Sequence, residues 1–237
     1  MTANLVDRLL TAISPWRCVL CRGTAHGMDI CADCINDLPW LGRSCHQCAL
    51  PLTSTGALLC GACIRAPTDI DHCIAALVYE YPVDRLVTGL KYRRNLAYAR
   101  VLGELLAIRI SEALASGGLE KPALLIPVPM HRWRQALRTY NQAEQIACRL
   151  GYDLSVPVET TQVLRVRNTP PQTSLSRAVR LRNLSGAFRV RGNVAGRRIA
   201  LVDDVITTAS TVRELARILK NKGAAEVQVW AVARTNN

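Results

Sequence analysis

Two adjacent carboxylates set against a string of small hydroxyl side chains make IALVDDVITTAST, residues 199–211, the first place to look for chemistry. The apolar run before Asp203 and Asp204 reads as a buried strand, and ligands of open parallel sheets sit beyond the carboxyl ends of such strands. Successive strand side chains point to opposite faces, so both carboxylates reach one ligand only if the chain leaves the sheet there. The small loop from Ile206 to Ser210 is expected to make that departure. Its amides, the hydroxyls of Thr207, Thr208, Ser210 and Thr211, and the positive start of a following helix form a receptor for a phosphate dianion. Carboxylates repel phosphate and suit neutral sugar hydroxyls, so the combination fits a phosphorylated ribose. A helix cap alone would need one such side chain, not the whole string.

A second chemistry sits at the other end of the chain. Eight of the ten cysteines form four C-x-x-C pairs: Cys18 and Cys21, Cys31 and Cys34, Cys45 and Cys48, Cys60 and Cys63. Two cysteines three apart present both sulfurs to one tetrahedral zinc, and two such knuckles close a four-thiolate structural site. A disulfide framework conflicts with the lack of a secretory signal, and a thioredoxin-like redox motif needs one pair in a strand-to-helix setting. Sequential pairing is favoured over an interleaved cross-brace because short loops close locally, but spacing leaves both open. Gly23, Gly61 and Ala49 are expected at the sharp turns of the knuckles. His46 lies inside the third knuckle and is read as a solvent-facing bystander; Cys73 and Cys148 are expected as small core residues.

Zinc is needed here for a physical reason. About sixty residues with few large aliphatics bury too little surface to offset chain entropy, whereas a structural zinc contributes on the order of 10–16 kcal/mol. Each four-thiolate centre carries about −2, so two of them lower the formal charge of +12 to about +8. The remaining excess is concentrated: residues 131–198 hold thirteen Arg, no Lys and three acids. Guanidinium grips phosphate with two prongs, which points to phosphates or nucleic acid as partners. HRWRQALRTYNQ interleaves Trp133 and Tyr140 with these arginines, a pattern that suits base stacking as well as a helix core.

The elements that must position these groups follow from length and periodicity. With 237 residues, 49% of them hydrophobic, the chain can bury a substantial core and carry a smaller module beside it. Boundaries are expected at 1–66 for the zinc module, which opens with a short helical stripe of Leu5, Leu9 and Ile13, and at 70–237 for the second domain. Strands are predicted at 75–81, 123–128, 198–203 and 226–233, and helices at 83–93, 97–115, 140–150 and 210–222. Alternating strands and helices predict an α/β fold with a parallel sheet. Gly223 is expected to end the last helix. No run approaches the ~18 apolar residues of a membrane span, so a cytoplasmic protein without membrane insertion is expected.

LVDDVITTAST resembles the phosphoribosyl-diphosphate signature of type I phosphoribosyltransferases. The chain as a whole resembles the competence protein F (ComF) family, which includes the gluconate-associated GntX proteins. That resemblance runs through the cysteine pairs, LKYRRN (90–95), IPVPMHRWRQALRTYNQAEQIA (126–147) and PQTSLSRAVRLRNLSGAF (171–188). It implies a type I phosphoribosyltransferase-like parallel sheet flanked by helices behind a double zinc ribbon. Asp203 and Asp204 would hold ribose hydroxyls. Val205, Thr207, Thr208, Ala209, Ser210 and Thr211 would bind the 5′-phosphate. Pro129, Met130, His131 and Arg132 would bind pyrophosphate, with Mg²⁺ chelated largely by ligand oxygens. Lys91 and Arg180 are the implied catalytic cations, and Gln172 and Arg180 belong to an Arg-rich stretch, 165–182, placed as a mobile flap.

By the same resemblance the protein binds phosphoribosyl diphosphate or a nucleotide, together with single-stranded DNA, and acts in the uptake or use of external DNA. Its zinc module would dock DNA-uptake or recombination proteins. The alternative is an active transferase acting on an unidentified base or amine; no base-recognising motif is legible around residues 72–92. One departure matters: the signature reads Thr-Thr-Gly where this chain has Ala209. A left-handed alanine costs about 1–2 kcal/mol, or roughly ten-fold in affinity, so a weakened site is expected.

Overall fold

A strand covered on both faces must be apolar at consecutive positions, and the runs around Leu201 and Trp230 are. In the computed structural model, which describes residues 16–93, 95–130, 140–167 and 186–236, these runs become the two central strands of a four-stranded parallel sheet. The elements in chain order are α1 (Ala32–Asn36), α2 (Gly61–Arg65), β1 (His72–Val78), α3 (Val83–Arg93), α4 (Leu96–Ala115) and β2 (Leu124–Pro127). They continue with α5 (Gln142–Leu154), β3 (Val163–Arg165), β4 (Phe188–Val190), β5 (Arg198–Ile206), α6 (Ser210–Asn221) and β6 (Glu226–Arg234). The sheet order is β1-β6-β5-β2, and β3 pairs with β4 as a separate antiparallel ribbon.

The sheet separates two apolar layers. On one face α6 packs Val212, Leu215 and Leu219 against Ile199, Leu201 and Val229. On the other, Leu102, Leu105 and Leu106 of α4 and Ile146 and Leu150 of α5 cover Ala200, Val202 and Trp230. Each layer also takes one half of the zinc module: Cys45, Cys48, Cys60 and Cys63 lie in the α6 layer, and Cys18, Ile30 and Leu38 in the α4 layer. The segment joining the two halves runs antiparallel along β1, with the Leu41 amide on the Ala76 carbonyl (2.9 Å) and the Val78 amide on the Pro39 carbonyl (2.8 Å). At the opposite edge residues 157–159 bond to both sides of Leu125. Both edges of the sheet are therefore covered against pairing with other chains.

Capping fixes the helices that flank the site. The side chains of Asn95 and Asn141 accept the amides of Ala97 and Ala143, starting α4 and α5. Gly223, at φ 86, closes α6 while the Ala224 amide reaches back to the Leu219 carbonyl, as expected of a glycine in this place. Several expectations shift, among them α5, predicted at 140–150, which runs over Gln142–Leu154. β1 begins and ends three residues early, because the chain turns at Tyr79 to Pro82 into α3. β5 runs three residues further, to Ile206. Cys148 is exposed, since the buried stripe of α5 is Ala143, Ile146, Ala147 and Leu150, while Cys73 is buried as expected. Among the described residues no helix is long and apolar enough to cross a membrane. Residues 1–15, with the predicted stripe, lie outside the described residues.

Candidate functional site

The end of β5 carries the site, but not by the route the sequence suggested. Pairing with β6 continues through Asp203↔Ala231, Val205↔Ala233 and Ile206↔Arg234, so the chain leaves the sheet only at Thr207. What changes at the carboxylates is the alternation. Ile199 and Leu201 face one layer and Ala200 and Val202 the other; after the aspartates Val205 joins the layer of Val202 and Ile206 that of Leu201. The facing pattern has slipped by one residue across Asp203 and Asp204. Each carboxylate then accepts the amide that follows it: Asp203 Oδ1 from Asp204 at 2.9 Å and Asp204 Oδ1 from Val205 at 2.8 Å.

Lys91, near the end of α3, places Nζ 2.7 Å from Asp204 Oδ2. Burial works hardest against its ammonium, but the charge and hydrogen bond of Asp204 together with the Asp203 charge outweigh it, and the net shift is upward. Burial, then the charge of Asp204, pushes the Asp203 carboxyl well above the usual carboxylate range. Beyond them Thr207 is exposed, the hydroxyls of Thr208 and Ser210 stand 3.0 Å apart, and Ala209 holds φ 57 directly before α6. The departure from Thr-Thr-Gly therefore falls on a residue that does adopt the left-handed conformation. Asp203 and Val205 to Val212 line a cavity of about 60 Å³. Ligand pockets span roughly 300–1,000 Å³, so this is one subsite of anion size.

Pro129 and Met130 follow β2, half-buried. The Asn141 amide donates to the Val128 carbonyl at 3.0 Å, and the Tyr140 hydroxyl donates to the Leu90 carbonyl, one residue from Lys91. These two neighbours tie the loop after β2, the start of α5 and the turn bearing Lys91 together. They were missed as site supports; the signal available was Asn before a helical pattern. Tyr140 also packs on the α4 layer, which makes it a structural residue and not a free base-stacking platform. His131, Arg132, Trp133, Gln172 and Arg180 lie outside the described residues. So do residues 168–185, which hold most of the Arg-rich stretch 165–182; the chain on either side of them pairs as β3 and β4, with Arg165 opposite Phe188. Three-residue strands are too short to leave an alternation in sequence.

The eight knuckle cysteines form two clusters, Cys18, Cys21, Cys31, Cys34 and Cys45, Cys48, Cys60, Cys63, with the sulfurs of each within 4.8 Å of one another. The pairing is sequential. Cys21 and Cys31 sulfurs are 3.7 Å apart, as are those of Cys48 and Cys60. A tetrahedron with Zn–S of about 2.3 Å has edges of about 3.8 Å, so both donor sets fit zinc. The sharp turns fall on Arg22 (φ 65) and Ala49 (φ 54), not on Gly23 or Gly61. Gly23 instead donates its amide to Cys21 Sγ at 3.4 Å, and Gly61 opens α2. His46 is exposed, in keeping with a bystander.

Two family models match this chain. Residues 9–64 match the family model described as a double zinc ribbon domain, and residues 138–237 that of a phosphoribosyl transferase domain. The fold is a type I phosphoribosyltransferase-like sheet with flanking helices, preceded by a double zinc ribbon with two four-cysteine sites. The DNA utilization protein YhgH of Shigella flexneri is 36% identical over 224 residues, covering 93% of this chain and 98% of the relative. Competence protein F of Haemophilus influenzae is 34% identical over 227 residues, covering 92% and 97%. A solved structure of purine phosphoribosyltransferase from Pyrococcus horikoshii aligns with 56% of this chain and 72% of its own, at 18% identity and a TM-score of 0.35.

Proposed function

This chain belongs to the competence protein F family, and on that footing we propose that it binds phosphoribosyl diphosphate or a nucleotide, binds single-stranded DNA, and acts in the uptake or use of external DNA. The observation that carries the reading is the run from Asp203 to Thr211: two carboxylates, one paired to Lys91, directly before a loop of amides and hydroxyls at the start of α6. In this reading the carboxylates accept hydrogen bonds from the ribose hydroxyls, and the loop amides with Thr207, Thr208, Ser210 and Thr211 hold the 5′-phosphate. Pro129, Met130, His131 and Arg132 would bind the pyrophosphate. Mg²⁺ would neutralise the pyrophosphate, held largely by pyrophosphate and ribose oxygens with few protein ligands. All the described cysteines are free of disulfides, which suits a reducing cytoplasm, where thiolates stay available to zinc.

Single-stranded DNA is supported by the +12 charge and by the arginine concentration over residues 131–198. Lys91 favours a second reading, turnover: a cation held at the carboxylate corner can stabilise charge developing on departing pyrophosphate. By the resemblance Arg180 would be a second catalytic cation in that case.

Calorimetry with phosphoribosyl diphosphate and Mg²⁺ tests the binding site. The wild-type chain is expected to bind and Asp204→Asn to lose most of that affinity; no difference between them would remove the assignment. Single-stranded DNA affinity measured against salt is expected to fall with a log-log slope of about −0.7 per phosphate contact, and a flat slope would remove the DNA partner. Pyrophosphate release with a panel of bases and amines separates turnover from binding alone.

A further inference from the structure

The two ends of the loop from Ile206 to Ser210 are each one residue away from a ligand of the second zinc cluster. At the first end, the buried Arg234 guanidinium donates through Nε to the Cys48 carbonyl at 2.8 Å and through a terminal nitrogen to the Ile206 carbonyl at 3.3 Å. The Thr235 amide meets the same Ile206 carbonyl at 3.1 Å. At the second end, the Arg213 amide donates to the Ala209 carbonyl at 3.0 Å, and its guanidinium donates to Cys63 Sγ at 3.2 Å. One arginine thus spans from zinc knuckle to the residue where the loop leaves the sheet. The other spans from zinc thiolate to the left-handed residue that closes the loop.

The chemistry of the cluster makes these contacts metal-dependent. Four thiolates around one zinc leave about two net negative charges, and a guanidinium donating to such a group makes a charge-assisted bond, roughly twice as strong as a neutral one. Without metal the sulfurs are no longer held together in one place, so the acceptor of Arg213 and the knuckle holding the Cys48 carbonyl both lose their definition. Partners one step out from a metal commonly change affinity or activity by about 10–100-fold when removed.

We propose that the second zinc centre, acting through Arg213 and Arg234 as positioning residues, holds the phosphate-receptor loop in its binding shape. The first centre has no part in this. The inference rests on the functional reading above for its ligand, but not for its mechanical content. It assigns the zinc module a role in the site itself, distinct from docking partners.

The test uses the full chain with both zinc ions. Arg213→Met removes the contact to Cys63, and Arg100→Met, which breaks the ion pair of α4 with Asp29 of the first ribbon, is the control. Amide hydrogen exchange over residues 206–211 is measured without ligand, zinc content by atomic absorption, and affinity for phosphoribosyl diphosphate with Mg²⁺ by calorimetry. Arg213→Met is expected to keep both zinc ions, to exchange these amides about ten-fold faster and to bind about ten-fold more weakly; Arg100→Met should change neither. If Arg213→Met sheds zinc, exchange is read in Arg213→Lys, which keeps a cation at Cys63 and should lie between wild type and Met. Unchanged exchange in the Arg213 variants, or an equal rise in Arg100→Met, overturns the proposal. If the wild-type chain binds no phosphoribosyl diphosphate while Arg213→Met still loosens the loop, the brace stands and the ligand reading falls.

Discussion

In the first zinc ribbon the Arg22 amide bonds to the Cys18 carbonyl, the Ile35 amide to Cys31, and the Cys18 amide to Gly23. In the second the Ala49 amide bonds to Cys45, Ile64 to Cys60, and Cys45 to Leu50. At the knuckles the two share one backbone plan, with nine residues between the pairs in the first and eleven in the second. Their surroundings differ. In the first set Cys18 is buried, Cys31 and Cys34 are half-buried and Cys21 is exposed, whereas Cys45, Cys48, Cys60 and Cys63 are all buried in the apolar layer under α6. Identical ligand sets therefore hold metal in one case at the surface of the molecule and in the other within its core. Spacing decides coordination, while packing decides what the metal does for the rest of the chain.

The strongest way to break this comparison is to remove one ligand from each ribbon. Cys63→Ser should cost about 3–5 kcal/mol, a fall of roughly 10–15 °C in the thermal midpoint of a domain this size, because the second cluster is part of the shared core. Cys21→Ser should empty the first site with a fall of only a few degrees, leaving the main transition cooperative. Calorimetric scans showing equal falls would mean that the two ribbons support the fold equally. Next in size is metal exchange. A chromogenic chelator should draw one zinc at least about ten-fold faster than the other, since local opening is easier where ligands already face water. Cys21→Ser should abolish the fast phase, and a single phase in the wild type would erase the distinction.

Ligand identity was legible in the sequence for both ribbons because four C-x-x-C pairs have few physical uses. Burial was not, since Cys21 and Cys48 occupy equivalent knuckles and only tertiary contacts to Arg213, Arg234 and β1 tell them apart. The sheet followed from the apolar runs in β5 and β6. The way Asp203 and Asp204 share a corner did not: strand alternation argued for a chain leaving the sheet, and the structure instead slips the alternation while pairing continues. Lys91 was singled out on resemblance, and its reach to Asp204 depends on α3 crossing the end of the sheet, which no local pattern encodes. The predicted helix 140–150 takes in Asn141 instead of starting after it as a cap, Tyr140 suits either base stacking or a core by its sequence setting, and their joint hold on the loops around Lys91 was not legible.

The stretch from Asp203 to the start of α6 carries two unfavourable features, and relieving them tests what the corner beside the second ribbon costs the fold. Ala209→Gly removes a left-handed methyl at φ 57, a change of about 1–2 kcal/mol, and should tighten phosphoribosyl diphosphate binding by up to roughly ten-fold in calorimetry. Equal affinities would mean that the methyl is tolerated without cost. Asp203 is the second feature. Its carboxyl is raised in the folded state, so below about pH 4 both folded and unfolded forms are protonated and it contributes nothing. As pH rises from there the unfolded state gives up its proton first, and the fold loses stability. Asp203→Asn, which keeps an oxygen for the Asp204 amide, should therefore gain in thermal midpoint over wild type as pH goes from about 4 to 7. A gap that is constant with pH would mean the burial of this carboxylate carries no penalty.

The smallest effect is expected where the first ribbon meets α4. Arg100 and Asp29 are 2.5 Å apart, but the Arg100 side chain is 51% exposed, and its guanidinium also lies over the Trp16 ring at 5.9 Å. An ion pair open to water on one side gains little beyond what solvent already gives each charge, so Asp29→Asn should cost less than about 1 kcal/mol and less still in high salt. The apolar contacts of Ile30 and Leu38 remain to hold the ribbon in place. If thermal unfolding instead showed a loss approaching that of Cys63→Ser, insensitive to salt, the first ribbon would be clamped to the sheet by this pair as firmly as the second is by Arg234. The difference in cysteine exposure would then reflect only which side of a knuckle faces water, and the first metal would have to be counted among the elements that shape the domain.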